Sequence, residues 1–458
     1  MRPTAAVKVL LAGLLTGGLI ASGATPALAT LHDGVAPAKP PAIAVRLAAP
    51  FATVGEPVVL TAQLRRAAAD VLLTVQRRND DGQTWTPVTS AATGSDGRAL
   101  ASLDTSVAGP QVLRVTGAGT SATVTLTVSD GTTCTPRVAL VDTLATPAAR
   151  CLATRLDRWK SAGLMGVGQQ LNVSNSDYLA PLTLLGGRRV SVVGFDLEEL
   201  DKAAHYEYPF DDQVIADLTR LAGEGVVLNA SWHARNPHTL VEDSNHDRSW
   251  HDLSALLDST TAEYQEFWAD FDAKMALLHR LQDAGAAVVF RPFHEANGGW
   301  FWWGHPDPKT FKSLWSRMQS RAARDGVHNI VWGYSFNAVT NKTITDPTKL
   351  LPAKVDLAGM DSYDDESKAN PKDDLITTGY AAVAARVSRM AITEAGPMGS
   401  TKGTWNPSIV EWRARDLKSK PTFAMLWYDD ANGKKQLSSL SGGTAWLDSC
   451  INAFCRVK

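Results

Sequence analysis

Cysteine is scarce in this chain: four in 458 residues, at 134, 151, 450 and 455, none in a CxxC pair or beside a histidine at ligand spacing. The pattern of a metal site is therefore missing. Net charge is nearly absent too, with 45 Lys+Arg against 47 Asp+Glu, which excludes the broad cationic surface that nucleic acid or anionic lipid requires. The apolar run from Val9 to Ile20 falls short of the ~20 residues needed to span about 30 Å of hydrocarbon, and no later stretch reads as transmembrane. No G-x-G-x-x-G stands where a dinucleotide-binding sheet would carry it. Disorder is excluded over most of the length by 44% hydrophobic and 20% charged residues. A folded chain of two or three domains, or one large barrel with an appendage, remains, and its natural partner is uncharged.

Arg2 and Lys8, the apolar run and then Ala27-Leu28-Ala29 form the pattern of a secretory signal, so residues 1–29 are expected to be cleaved and the protein to be secreted. In an oxidising compartment four cysteines allow three pairings; Cys134 with Cys151 and Cys450 with Cys455 is the expected one.

A Pro/Ala-rich joint closes residues 30–41. From 42 to 130 short runs alternate apolar and polar residues (AIAVRL, PVVLTAQL, VLLTVQRR, ALASLD, QVLRVTG, ATVTLTV) between turns such as NDDGQ and GSDGR. They predict a small all-β sandwich resembling bacterial immunoglobulin-like modules. Its one Trp, Trp85, reads as packing rather than a sugar platform, and the module as a spacer. From 134 to 458 the texture changes. Eight β-rich runs (LMGVGQQL, VSVVGFDL, VVLNASWH, AVVFRPFHE, IVWGYSF, DLAGMDSY, MAITEAG, FAMLWYDD) alternate with helical stretches such as Asp211 to Glu224, Thr261 to Ala284, Asp307 to Asp325, Asp373 to Ser388 and Pro407 to Lys418. This is the signature of a (β/α)₈ TIM barrel, with a doubly wound open sheet as the alternative.

In a barrel the strand C-termini share one face. The ends of these runs gather Gln169, Gln170, Asp196, Trp232, His233, His294, Glu295, Trp332, Tyr334, Asp361, Tyr363, Glu394 and Trp427. Glu295 and Glu394 then face each other across one mouth, the layout of a glycosidase, which needs one carboxyl to protonate the leaving oxygen and another to attack or to activate water. Thirteen of the 14 Trp follow residue 150, with Trp300, Trp302 and Trp303 just after Glu295. Indole offers a flat apolar platform with one donor, which suits a sugar ring. Trp232, Trp300 and Trp427 are read as functional, whereas Trp159, Trp268, Trp315, Trp412 and Trp446 fall at helical positions and are read as core. The insertion Asn236 to Asp252, with His238, His246, His251 and Trp250, is either a mobile sugar-contacting loop or a plain surface loop.

RPFHEANGGWFWWG, with SWH before it and ITEAG after it, resembles glycoside hydrolase family 26 over about Cys134 to Lys458. The best represented members of that family are secreted endo-β-1,4-mannanases on a (β/α)₈ barrel. The resemblance implies that Glu295 is the acid/base and Glu394 the nucleophile of a retaining double displacement. His233, His294, Trp300, Tyr363 and Trp427 would be substrate-binding residues around the cleaved bond, with Tyr363 also bonded to the nucleophile. Trp232 and Asp361 are added to the binding set from their strand-end places, and Arg291 as a supporting cation. Tyr428 stands where some members have Arg. The expectation is thus a secreted, monomeric enzyme acting on β-mannan, without metal or cofactor, nucleic acid or membrane. The alternatives are a β-1,3-1,4-glucanase or β-1,3-xylanase of the same family, or a non-catalytic polysaccharide-binding protein.

Overall fold

The computed structural model describes residues 43–47, 51–53, 58–66, 68–79, 81–129, 138–205, 210–365, 373–449 and 452–453. The expected signal peptide and joint, and Cys134, Cys450 and Cys455, lie outside the described residues, while Cys151 sits in a helix.

Among the described residues of the N-terminal part there are eight strands: β1 (Ile43–Leu47), β2 (Phe51–Thr53), β3 (Val58–Leu64), β4 (Leu72–Arg78), β5 (Trp85–Ala92), β6 (Arg98–Leu103), β7 (Gly109–Gly117) and β8 (Thr120–Ser129). One sheet runs β1-β3-β6 and the other β2-β8-β7-β4-β5. Alternation decides what lies between them: Leu60, Ala62 and Leu64 from one sheet and Leu73, Val75, Leu113 and Val115 from the other share a core. Two strands were not legible in the sequence. β2 is only three residues long, and β5 carries Pro87, which its edge position tolerates because no further strand asks for its missing N–H. Trp85 is half-buried on the outer side, with the Arg114 guanidinium 4.2 Å above its ring.

The second part is a closed parallel barrel of β9 (Gly166–Gln170), β10 (Val192–Asp196), β11 (Val227–Trp232), β12 (Val288–Pro292), β13 (Ile330–Asn337), β14 (Leu357–Asp365), β15 (Met390–Met398) and β16 (Pro421–Leu426), with β9 joined to both β10 and β16. Each falls on one of the eight runs. Such strands are buried on the lumen side and on the helix side alike, so they read as near-continuous apolar stretches.

The flanking helices begin where the sequence supplies a cap. Thr261 accepts from Tyr264 N ahead of Ala262–Asp283, and Asp307 from Thr310 N ahead of Pro308–Arg324. A helix the sequence reading had missed, Pro147–Ser161, starts at a Thr146 cap with Pro in its first turn and sends Leu152, Leu156 and Trp159 into the barrel floor beside Val192, Val289 and Phe423. The expected helix from Asp373 to Ser388 is only Tyr380–Ala384. Gly379, at φ 99°, breaks it, and Ile376 N is bonded to Ser362 Oγ instead of a helical carbonyl. Trp412 corrects another expectation: it is 55% exposed, whereas Trp159, Trp268, Trp315 and Trp446 are buried.

Candidate active site

β12 ends in an abrupt change of backbone. Phe293 and Glu295 adopt φ of 49° and 55°, left-handed values that cost energy in residues other than glycine and persist only when the surroundings hold them. Here Glu295 N donates to Ser335 O at 3.0 Å, Gly298 N to Glu295 O at 2.8 Å, and Trp303 Nε1 to His294 O at 2.8 Å. The kink sends the Phe293 ring into the cluster of Trp232, Phe267 and Trp302 and leaves Glu295 on the wall of a cleft above the barrel. Both carboxylate oxygens of Glu295 are engaged by neutral donors: Asn337 Nδ2 to Oε1 at 2.8 Å and Trp300 Nε1 to Oε2 at 2.7 Å.

Glu394, on β15, has different neighbours. Arg291 Nη2 donates to Oε1 at 2.9 Å and Tyr363 Oη to Oε2 at 2.8 Å. Arg291 is fully buried and also faces Asp361 at 3.5 Å, and Asp361 accepts from Ser335 Oγ and Thr393 Oγ1 at 2.8 and 2.6 Å. Gly359 makes room for this, since a Cβ there would overlap Thr393. Oxygens of Glu295, Asp361 and Glu394 all lie within 4.8 Å of one another. That spacing could share a metal ion, but the cation in contact with Asp361 and Glu394 is the Arg291 guanidinium.

Burial pushes Glu295 and Glu394 up to about 7, with Glu394 further raising Glu295 and Asp361 further raising Glu394. Asp361 is likewise pushed up to about 7 by burial, against the pull of Arg291. Contact is what separates the two glutamates. A cation and a phenol O–H touch Glu394 and favour its ionised form, whereas only neutral N–H groups touch Glu295, so a proton shared by the pair resides on Glu295.

A histidine pair completes the wall, their rings 4.5 Å apart and edge to face. Burial opposes a charge on His233, but Asp196, bonded to its Nδ1 at 2.8 Å, outweighs this and raises it to about 9. His294 is driven well below the ordinary histidine value by burial and then by the positive His233 and Arg291, so it stays neutral. Trp427, whose ring lies 5.8 Å from His233, is held through its carbonyl by Gln169 Nε2. Next to it Tyr428 donates to Glu199 at 2.9 Å, a carboxyl that burial pushes up to about 8.

One cleft of about 510 Å³ thus gathers His233, His294, Glu295, Trp300, Tyr363, Glu394 and Trp427. Two expected binding residues do not reach it. Trp232 is 0% exposed. Its side chain lies on the helix side of β11, stacked on Phe267 and Phe293, with Nε1 facing Glu198. Asp361 is also fully buried, behind the glutamates rather than on the cleft surface. Trp302 and Trp303 are 0% exposed and donate to Ala234 O and His294 O, so of that aromatic string Trp300 and Phe301 line the cleft.

Sequence reasoning passed over Asn337, Asp430, Lys435 and the loop residues Thr340 and Asn341, all on the cleft wall. Asn337 follows directly on the run IVWGYSF, and extending that run by one residue would have found it. The lining loop residues carry no comparable signal. The insertion 236–252 is pinned: Asn236 Nδ2 donates to the carbonyls of Asp247 and Trp250, and Trp302 N to Asn245 O.

The profile described as Glycosyl hydrolase family 26 matches residues 160–442. A mannan endo-1,4-beta-mannosidase of Thermothelomyces thermophilus is 31% identical over 175 residues, 36% of this chain and 35% of that protein. One from Bifidobacterium adolescentis is 27% identical over 294 residues, 58% of this chain and 28% of that protein. The chain thus spans about a third of the length of these curated relatives. Among solved structures, a Bacillus subtilis mannanase shares the fold at a TM-score of 0.56 and 21% identity, over 70% of this chain and 96% of that one.

Proposed function

The chain belongs to glycosyl hydrolase family 26, and from that premise we propose that it is an endo-acting, retaining β-1,4-mannanase that hydrolyses mannan or galactomannan. The observation that carries the mechanism is the carboxyl separation. Retaining glycosidases hold their two carboxyls about 5 to 5.5 Å apart, and inverting ones need more room for water; oxygens of Glu295 and Glu394 lie within 4.8 Å.

In the first step the Glu394 carboxylate attacks the anomeric carbon while Glu295 gives its proton to the glycosidic oxygen, and the leaving chain departs with that oxygen as a hydroxyl. Glu394 is then a neutral ester, and the charge that had raised Glu295 is gone. Glu295, now ionised, takes a proton from water, whose oxygen attacks the same carbon and releases Glu394. Arg291 and Tyr363 receive the carboxylate as it reforms. His233, His294 and Trp427 flank the sugar being attacked, and Trp300 both holds the acid and offers a ring to the substrate.

The same reading assigns residues 1–29 to a secretory signal, 30–41 to a linker, 42–130 to an immunoglobulin-like spacer and 134–458 to the catalytic domain of a secreted monomer. A Cys134–Cys151 and Cys450–Cys455 pairing would suit that destination. Coverage of Trp85 by Arg114 supports the spacer role. Reducing-sugar release from mannan, galactomannan, mixed-linkage glucan and xylan, with the configuration of the first-formed product followed by NMR, tests the proposal. Release from mannan with β product is the expected result. Cleavage of glucan or xylan alone overturns the substrate, and α product overturns the mechanism.

A further inference from the structure

We infer that His246 is a specificity residue for the leaving-group side of the cleft, where its Nε2 accepts a hydrogen bond from a hydroxyl of the departing sugar chain. The inference rests on the glycosidase reading above and adds to it a residue from the insertion 236–252. Topology orients the cleft first. The acid Glu295 stands at the end of β12, so the departing sugar lies toward the loops that follow β11, β12 and β13. These loops bring His246, Trp300 and Asn341, respectively, to the cleft wall. Trp427, Asp430 and Lys435 belong to the opposite side, after β16.

Two contacts hold the His246 ring in place, and two more hydrogen bonds fix its loop. Its Nδ1 lies 3.2 Å from the carbonyl oxygen of Trp300. A carbonyl can only accept, so Nδ1 carries the proton, and in the neutral ring Nε2 is an acceptor. The ring rests on Phe301 with centroids 4.8 Å apart. The loop beneath is fixed at both shoulders, by Trp302 N on Asn245 O and by Asn236 N on Ser244 Oγ. His246 is exposed on the cleft wall, and its partner Trp300 is the residue whose indole N–H holds the acid. An exposed, immobilised acceptor on the wall of the cleft that also holds the acid is placed to read a polar rim, and a sugar hydroxyl is the donor such a cleft would meet.

The test compares two substrates that both need the acid and differ in what departs: mannopentaose, whose leaving group is a sugar, and methyl β-mannobioside, whose leaving group carries none. In His246→Ala the ratio of kcat/KM for the first to that for the second is expected to fall about tenfold, the size of one neutral hydrogen bond. His246→Gln, which can place an amide oxygen near the position of Nε2, should restore most of the ratio. Val241→Ala, an exposed residue of the same insertion, should leave it at the wild-type value. An unchanged ratio in His246→Ala, whether activity is kept or lost on both substrates alike, overturns the assignment. A wild-type protein that cleaves neither substrate overturns the mannanase reading, and this inference with it.

Discussion

Replacing Trp300 by Phe removes one atom group that matters, the indole N–H on Glu295, while keeping an aromatic ring at the cleft. The smaller ring has room, because the indole packs over Gly298, where even a Cβ would overlap it. The 2.7 Å bond favours the ionised form of Glu295, so its loss raises the carboxyl further. A hydrogen bond to a charged group is worth about 1.5 to 3 kcal/mol, and about 1.4 kcal/mol moves a titration by one pH unit. Trp300 is only half-buried, so water can take up part of the lost contact, and a rise of about one unit is expected. Glu295 must be protonated to act as the acid, so it sets the alkaline limb of the kcat/KM profile. That limb should move from near 7 upward by about one unit, with the acid limb unmoved. The assay is kcat/KM on galactomannan from pH 4 to 10. A stationary alkaline limb, or a shift confined to the acid limb, would refute the assignment of Glu295 as the acid held by Trp300.

Tyr363→Phe is the complementary case: it takes a donor from the ionised Glu394, so, with Glu394 in the proposed role of nucleophile, the acid limb should move up by about one unit on the same assay. Glu394→Ala should abolish turnover while the chain stays folded, and azide should restore product of inverted configuration; near wild-type turnover would dismiss the nucleophile assignment. Lys274 is fully buried among Glu198, Asp201 and Asp270 at 3.1, 2.7 and 2.7 Å. Lys274→Met should therefore cost about 3 to 5 kcal/mol of stability in denaturant unfolding by leaving buried carboxyls without their cation; a loss within error of zero would show that the carboxyls neutralise themselves.

The sequence by itself determined the barrel, because parallel strands buried on both faces leave uninterrupted apolar runs, and the eight runs coincide with β9 to β16. It also located the two glutamates, since strand ends in a barrel converge whatever the details of the loops. It could not decide which face a strand-end side chain takes. Trp232 and His233 are neighbours in sequence, yet only His233 reaches the cleft, and Trp232 packs beneath the helices. Periodicity would have to be known to the single residue, and the left-handed turns at Phe293 and Glu295 suspend it at the most important strand. The same limit applies to contacts between loops. That Asn337 holds Glu295, that Arg291 reaches Glu394 and that His246 leans on Trp300 are relations across 42, 103 and 54 residues. Only the closed tertiary structure decides them, because no local preference of the chain depends on which loop will stand opposite.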